Sequence, residues 1–339
     1  MEKPTDLLNR PLHDLRISVI DRCNFRCTYC MPKEEDHGPY QFLAQEQWLS
    51  FDDIYRIADA FVQCGVRKIR LTGGEPLLRP KITELVEKLS GLPGIEDLAL
   101  TTNGSKLSEY AEPLKQAGLS RLTVSLDTLD SRVFKVMNGT DSPIQKVLLG
   151  LKAAEKAGFE SIKINVVVQK GVNDHQILDM VDYFRGTGHI VRFIEYMDVG
   201  TCNHWERKYV VPSKEIVQRI NQKFPIEPAE SQYYGEVANR YRFKDGMGEI
   251  GFISSVTQPF CQSCTRIRLT TDGRLVTCLF AETGPNIKEI LQKGADTETL
   301  TQFIRTVWRT RKDQYSNLRA AQPAKPEHTT RIEMFQIGG

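Results

Sequence analysis

Over residues 15–196, short runs with a period of two alternate with longer runs of helical period. The first kind predicts strands at 15–20, 68–72, 98–102, 122–127, 162–168 and 191–196. The second predicts helices at 52–64, 80–89, 105–117, 144–157 and 174–184. Ser50 and Asp52 sit where a helix N-cap belongs, and Gly65, Gly118 and Gly158 follow helical segments as stops. This is the alternation of an α/β protein. About six βα units fall short of the roughly eight that close a barrel. The expected fold is a partial, open TIM-type barrel, with a doubly wound sheet as the alternative.

Within these strands one face stays polar. Arg16 and Ser18 share a face, as do Arg70 and Thr72, Thr123 with Ser125 and Asp127, and Lys163 with Asn165. The opposite faces carry Leu15, Ile17, Ile69, Leu71, Leu122, Val124, Ile162 and Ile164. A filled barrel interior is mostly branched aliphatic. If helices cover the apolar faces, the polar faces enclose a hydrated cavity suited to a charged ligand. The alternative is that they form a solvated outer face.

After residue 200 the pattern changes. It predicts a helix at 213–223, a proline-containing connector at 224–228 and strands at 237–243 and 249–254. A hairpin of 266–270 and 274–279 turns at Asp272-Gly273. Helices at 286–292 and 297–311 follow, then an extended stretch at 315–330. The chain is expected to divide into a partial barrel, 1–200, and a C-terminal α+β region, 201–339, that covers the open side.

Composition narrows the function. Lys and Arg number 45 against 43 Asp and Glu, so no overall field favours nucleic acid or an anionic membrane. Any strong anion site must be local. No long basic tract or nucleic-acid recognition motif appears. No window approaches the ~18 apolar residues of a membrane span, and the N-terminus lacks the apolar core of a signal peptide. The expected location is the cytoplasm, where disulfides are rare. The eight cysteines then need another account.

Six of them form two trios. Cys23, Cys27 and Cys30 follow the first strand with spacing CxxxCxxC; Cys261, Cys264 and Cys278 lie in the C-terminal region. Thiolates suit iron–sulfur clusters or zinc. A four-iron cluster usually takes four cysteines, so three leave one iron open to a ligand. Zinc remains an alternative at each trio, with His37 a candidate fourth ligand at the first. Cys64 ends an amphipathic helix and reads as packing; Cys202 has no assignment. Between the second trio's cysteines, Arg266 and Arg268 share a strand face, and guanidinium forks suit phosphates.

CxxxCxxC with Tyr29 before its last cysteine, together with Gly73-Gly74-Glu75-Pro76 after the second strand, resembles the radical S-adenosylmethionine (SAM) superfamily. Within it, the whole chain is similar to the GTP 3′,8-cyclase family of molybdenum cofactor biosynthesis. The similarity is carried by residues 18–27, 72–77, 101–104, 192–195 and 260–269 and by the terminal Ile337-Gly338-Gly339. Ile20 stands where that family more often has threonine.

The resemblance implies two [4Fe–4S] clusters, one on Cys23, Cys27 and Cys30 and one on Cys261, Cys264 and Cys278. It implies SAM contacts from Tyr29, Gly74, Ser125 and Met197. GTP would be held by Arg16, Arg70, Thr101, Lys163, Arg266 and Arg268, and the tail residues Gly338 and Gly339 would complete the site. A 5′-deoxyadenosyl radical would take the 3′ hydrogen of GTP, leading to (8S)-3′,8-cyclo-7,8-dihydroguanosine 5′-triphosphate. Implied partners are a flavodoxin- or ferredoxin-type reductant and a downstream cyclic pyranopterin monophosphate synthase; a homodimer is left open. Two rival readings stand beside it. One is a radical SAM enzyme that matures a peptide using an auxiliary cluster. The other is a non-catalytic metal or iron–sulfur binding module.

Overall fold

The structure is a computed structural model that describes residues 3–34, 40–321 and 331–338. Six parallel strands form its centre: β1 (Asp14–Ser18), β2 (Lys68–Thr72), β3 (Asp97–Thr102), β4 (Arg121–Ser125), β5 (Lys163–Val168) and β6 (Ile190–Glu195). Between them run helices α1 (Phe51–Gln63), α2 (Ile82–Ser90), α3 (Leu107–Gln116), α4 (Ser131–Asn138), α5 (Gln145–Lys156) and α6 (Ile177–Phe184). The C-terminal region adds α7 (Ser213–Lys223), β7 (Ile226–Ala229), β8 (Asn239–Phe243), β9 (Glu249–Ile253), β10 (Arg266–Leu269) and β11 (Leu275–Val276). Helices α8 (Ile287–Gln292), α9 (Thr297–Arg309), α10 (Tyr315–Ala321) and α11 (Met334–Ile337) complete it.

All the strands join one sheet in the order β11-β10-β1-β2-β3-β4-β5-β6-β9-β8-β7. Strand β10 pairs in parallel with β1, and β9 with β6, so the C-terminal region extends both edges of the central six. The terminal strands β7 and β11 do not meet, and the sheet stays open. This is the expected partial barrel: too few βα units are present to complete the turn.

Apolar faces pack where the alternation places them. Leu15, Ile17, Ile69, Leu71, Leu122, Val124, Ile162 and Ile164 all enter the main core beneath the helices. Helix α1 starts as its sequence requires: Ser50 accepts from the Asp53 amide, and Asp53 returns a carboxylate to the Ser50 amide.

Three segments differ from the sequence expectation. Helix α4 occupies a stretch with no predicted element, although Asp130 caps it through the amides of Arg132 and Val133 and Gly139 ends it in the left-handed region. Its eight residues span little more than two turns, too short a run to mark a helix by period alone. Strand β7 lies in the expected connector; its Pro228 is tolerated because β7 is an edge strand. The expected extended stretch begins instead as α10, while 322–330 lie outside the described residues.

The C-terminal helices are part of the same core. Trp308 of α9 is fully buried, and its indole nitrogen donates to the Arg10 carbonyl at 3.0 Å. Trp308→Ala removes a large side chain and one of the two donors to that carbonyl, the other being the Asp6 amide. It should lower stability by about 3–5 kcal/mol, read as a lower urea midpoint.

Candidate active site

A cavity of about 330 Å³ opens on the polar side of the sheet, and both cysteine trios line it. The sheet register determines what faces it. Arg268 of β10, Arg16 of β1 and Arg70 of β2 stand side by side, and the same row continues through Ala99 of β3 to Arg121 of β4. Lys163 lies opposite Thr123, and Arg192 opposite Asn165. All of these cations line the cavity, where basic side chains outnumber acidic ones.

Only some of this charge is compensated. Arg121 forms an ion pair with Asp97 through two nitrogens. Arg70 has neutral partners: one nitrogen donates to the hydroxyls of Thr101 at 3.0 Å and Thr123 at 2.9 Å. Burial, then the neighbours Arg268, Arg266 and Arg70, push the Arg16 guanidinium well below its ordinary range. Burial and the neighbours Arg192, Arg121 and Arg70 lower the Lys163 ammonium to about 7. Burial and Arg70 take Arg192 down to about 9. The ensemble is held short of an anion.

The first trio sits on the loop after β1, braced from two sides. The amides of Arg26 and Thr28 donate to the carbonyls of Asn138 and Met137 at the end of α4. On the other side, the Gly74 and Glu75 amides donate to the Ile20 and Arg22 carbonyls at 2.7 and 2.8 Å. A Cβ on Gly74 would stand 2.2 Å from the Arg22 oxygen, so only glycine permits this approach. Glu75 is buried and accepts from Leu77, Thr102 and Asn103, which ties the turn to β3; burial nevertheless raises its carboxyl to about 7.

Within the trio, the Cys23 sulfur accepts from the Phe25 amide at 3.3 Å and the Asn103 side chain at 3.7 Å. Burial lifts the Cys23 thiol to about 11, and burial followed by mutual repulsion lifts Cys27. Thiolates so crowded need a positive core between them. Tyr29 is fixed by donating to Asp127 at 2.8 Å, and Asp127 also accepts from the Val167 amide. Ser125 and Met197 line the cavity nearby.

The β10–β11 hairpin brings Cys278 back within electrostatic reach of Arg268 and Cys264. Burial opposes ionisation of Cys264, but Arg266 and Arg311 outweigh it and bring the thiol down to about 6. Both trios thus offer soft sulfur donors facing one chamber, half-buried except for the buried Cys264, a donor set that fits an iron–sulfur cluster at each. Among the described residues no three His, Cys, Asp or Glu side chains gather as closely as ligands of a single metal ion. His37, the candidate zinc ligand, lies outside the described residues.

The tail reaches the cavity wall. Met334 lines the cavity, and Gly338 is buried with φ 65°, where a Cβ would stand 2.2 Å from the Thr72 side chain. Gly339 lies outside the described residues. The remaining expected residues, Arg16, Arg70, Thr101, Lys163, Arg266 and Arg268, all line the same cavity. Sequence reasoning missed Arg192 and Asp127 as site residues. Arg192 alternates in phase with Ile190 and Ile194 on β6, a strand whose faces the pattern did not separate. Cys64 is buried as packing. Cys202, unassigned from sequence, contacts Glu333 of the tail at 3.0 Å and the Cys30 carbonyl at 3.7 Å.

The chain is similar to known proteins along its whole length. Residues 17–184 match the Radical SAM superfamily, and residues 189–317 match Molybdenum Cofactor Synthesis C. The chain is 50% identical to a GTP 3′,8-cyclase from Xanthomonas axonopodis pv. citri and 49% identical to one from Acidothermus cellulolyticus, each over 98% of both chains. It is 46% identical to that of Staphylococcus saprophyticus over the full length of both. Among solved structures, Streptococcus suis SuiB bound to the precursor peptide SuiA superposes with a TM-score of 0.62, at 18% identity, over 88% of this chain and 68% of that one. At that identity the likeness is one of fold. The whole-length identity places the chain in the GTP 3′,8-cyclase family.

Proposed function

We propose that the protein converts GTP to (8S)-3′,8-cyclo-7,8-dihydroguanosine 5′-triphosphate, the first step of molybdenum cofactor biosynthesis. The observation that carries this reading is the in-register row Arg268–Arg16–Arg70 facing both cysteine trios across one cavity, in a chain with whole-length cyclase relatives. Peptide maturation, the rival radical SAM reading, leaves that row without a purpose.

Cys23, Cys27 and Cys30 would hold a [4Fe–4S] cluster beside SAM, and Cys261, Cys264 and Cys278 a second cluster facing the guanine. Reductive cleavage of SAM supplies the 5′-deoxyadenosyl radical that takes the 3′ hydrogen. The chain's own task is placement. Tyr29, Gly74, Ser125 and Met197 surround the SAM position. Arg16, Arg70, Thr101, Lys163, Arg266 and Arg268, with Arg192 added from the structure, hold GTP by its triphosphate and base. Gly338 closes the site at its Thr72 wall, and Gly339 would complete it. In this reading the division near residue 200 separates function: residues 1–200 carry SAM chemistry, and 201–339 present the substrate.

The setting we infer is cytoplasmic. Among the described residues no helix is long and apolar enough to cross a membrane. A flavodoxin- or ferredoxin-type protein would supply electrons, and a cyclic pyranopterin monophosphate synthase would consume the product. Homodimerisation is compatible with this scheme.

Anaerobic incubation of the reconstituted protein with SAM, dithionite and GTP should yield 5′-deoxyadenosine and the cyclised triphosphate together. No 5′-deoxyadenosine above a control without GTP would overturn the reading. Arg266→Ala should weaken GTP binding on the order of tenfold to a hundredfold by calorimetry, as expected for a charge-assisted contact.

Lys163 gives the binding a pH signature. Its amine is half-charged near pH 7 in the free protein, because burial and neighbouring cations depress it. A triphosphate favours the charged form, so complex formation at pH 8 should take up close to one proton. Affinity should fall as pH rises above about 7. Calorimetry in buffers of different ionisation enthalpy reads the uptake, and Lys163→Met should abolish it.

The tail gives a further expectation. Gly338→Ala meets both a left-handed backbone and the Thr72 side chain. It should slow cyclisation at least tenfold while leaving GTP affinity within about twofold; an unchanged rate would remove the tail from the site.

A further inference from the structure

The second trio rests on an ionic network that reaches back to the start of the chain. Asp6 and Arg10 precede β1 and are buried, with relative exposures of 4% and 0%. One Asp6 oxygen accepts from the amides of Leu8 and Arg10. The other accepts from Arg10 Nε at 2.6 Å and from Arg311 Nη1 at 3.4 Å. Arg10 in turn donates to the Cys261 carbonyl at 2.7 Å. Arg311, itself buried, donates to the Cys264 carbonyl at 2.8 Å and to the Cys264 sulfur at 3.1 Å. Arg266 reaches the same sulfur at 3.2 Å.

Two guanidinium groups therefore converge on one cysteine sulfur. Three buried arginine nitrogens around this trio, Arg10 Nη2, Arg266 Nη1 and Arg268 Nε, have no hydrogen-bond partner among the described residues, while Arg311 Nε lies 3.5 Å from the Asp313 carboxylate. Burying cations without full compensation is costly, and an anionic group on the trio would offset that cost. The first trio differs. Among the described residues its Cys23 sulfur accepts from a neutral amide and a neutral side chain, and nearby Arg26 is turned to the carbonyls of Cys23 and Phe25.

Hydrogen bonds to cluster sulfurs and buried positive charge favour the more negative, reduced form of an iron–sulfur cluster. We propose that Arg311, fixed by Asp6, is a positioning residue that raises the reduction potential of the cluster on Cys261, Cys264 and Cys278 above that of the cluster on the first trio. This rests on the reading that each trio carries a [4Fe–4S] cluster. It accounts for a carboxylate buried at the N-terminus: Asp6 keeps two guanidinium groups aimed at the trio. It also separates the sites, since the second cluster fills with an electron while the first stays strongly reducing.

The test is an anaerobic redox titration of the reconstituted full-length protein followed by electron paramagnetic resonance, with SAM addition identifying the first cluster's signal. The second cluster should be reduced first. Arg311→Met should weaken its reduction equilibrium about tenfold, equal to about 59 mV for one electron, while the first cluster does not move. Arg311→Lys, which keeps the charge, should shift it less. Unchanged potentials, or equal shifts at both clusters, overturn the proposal. Should the variants fail to fold, unmutated protein carrying ¹⁵N-arginine decides. Arginine nitrogens coupled to the second cluster alone support the proposal, and none coupled to it overturns it. Iron analysis of the unmutated protein separates the underlying reading: about four irons rather than about eight overturns both, whereas about eight with unmoved potentials overturns the Arg311 proposal alone.

Discussion

The structure is organised around a row of like charges that a sheet would ordinarily avoid. Cations directly opposite one another on neighbouring strands repel. Here parallel pairing puts Arg268, Arg16 and Arg70 in one register, with Lys163 and Arg192 further round the same face. The core beneath the opposite face makes the arrangement unavoidable. A one-residue slip would carry Leu15, Ile17, Ile69 and Leu71 into the cavity and the arginines into the core. Hydrophobic burial thus holds the register, and the register holds the cations against their repulsion until an anion joins them.

The openness of the sheet follows from the same row. In a closed, filled barrel these side chains would lose both solvent and room. Six central βα units leave a gap, and the C-terminal region adds strands at both edges without bridging it. One of those strands, β10, brings Arg266 and Arg268 beside β1, and the second cysteine trio arrives with it. The cavity-facing charge is therefore contributed jointly by the beginning and the end of the chain. A near-balanced total charge is compatible with a strongly cationic interior, because the compensating acids lie mostly outside the cavity.

What was legible in the sequence was local and periodic. The six central strands read directly from alternating residues, and their polar phase located Arg16, Arg70 and Lys163 on the cavity side. Cysteine spacing marked both trios. What was not legible depended on partners distant in sequence. Helix α4 has adequate caps, but its role, bracing the first trio's loop through the Asn138 and Met137 carbonyls, exists only after folding. Arg311 reads as a surface charge at a helix end. Only the packing of α9 against the N-terminal segment brings it to Cys264. The hairpin turn at Asp272-Gly273 was plain, yet it could not say that β10 would pair with β1.

The tail shows how such remote contacts fix a chain end. A terminal Gly-Gly would fray if nothing held it. Here Asp198, one residue past Met197, gathers Tyr315, Arg319 and Arg331, and Glu333 accepts from the Thr201 amide and hydroxyl. The loop that begins at Met197 thus grips the chain just before Gly338, and Cys202 in that loop also touches the Cys30 carbonyl. Cys202 is buried where these three segments meet, against Glu333 and the Cys30 carbonyl. An assignment by residue type alone would have placed it with the metal ligands; its partners place it in the clasp.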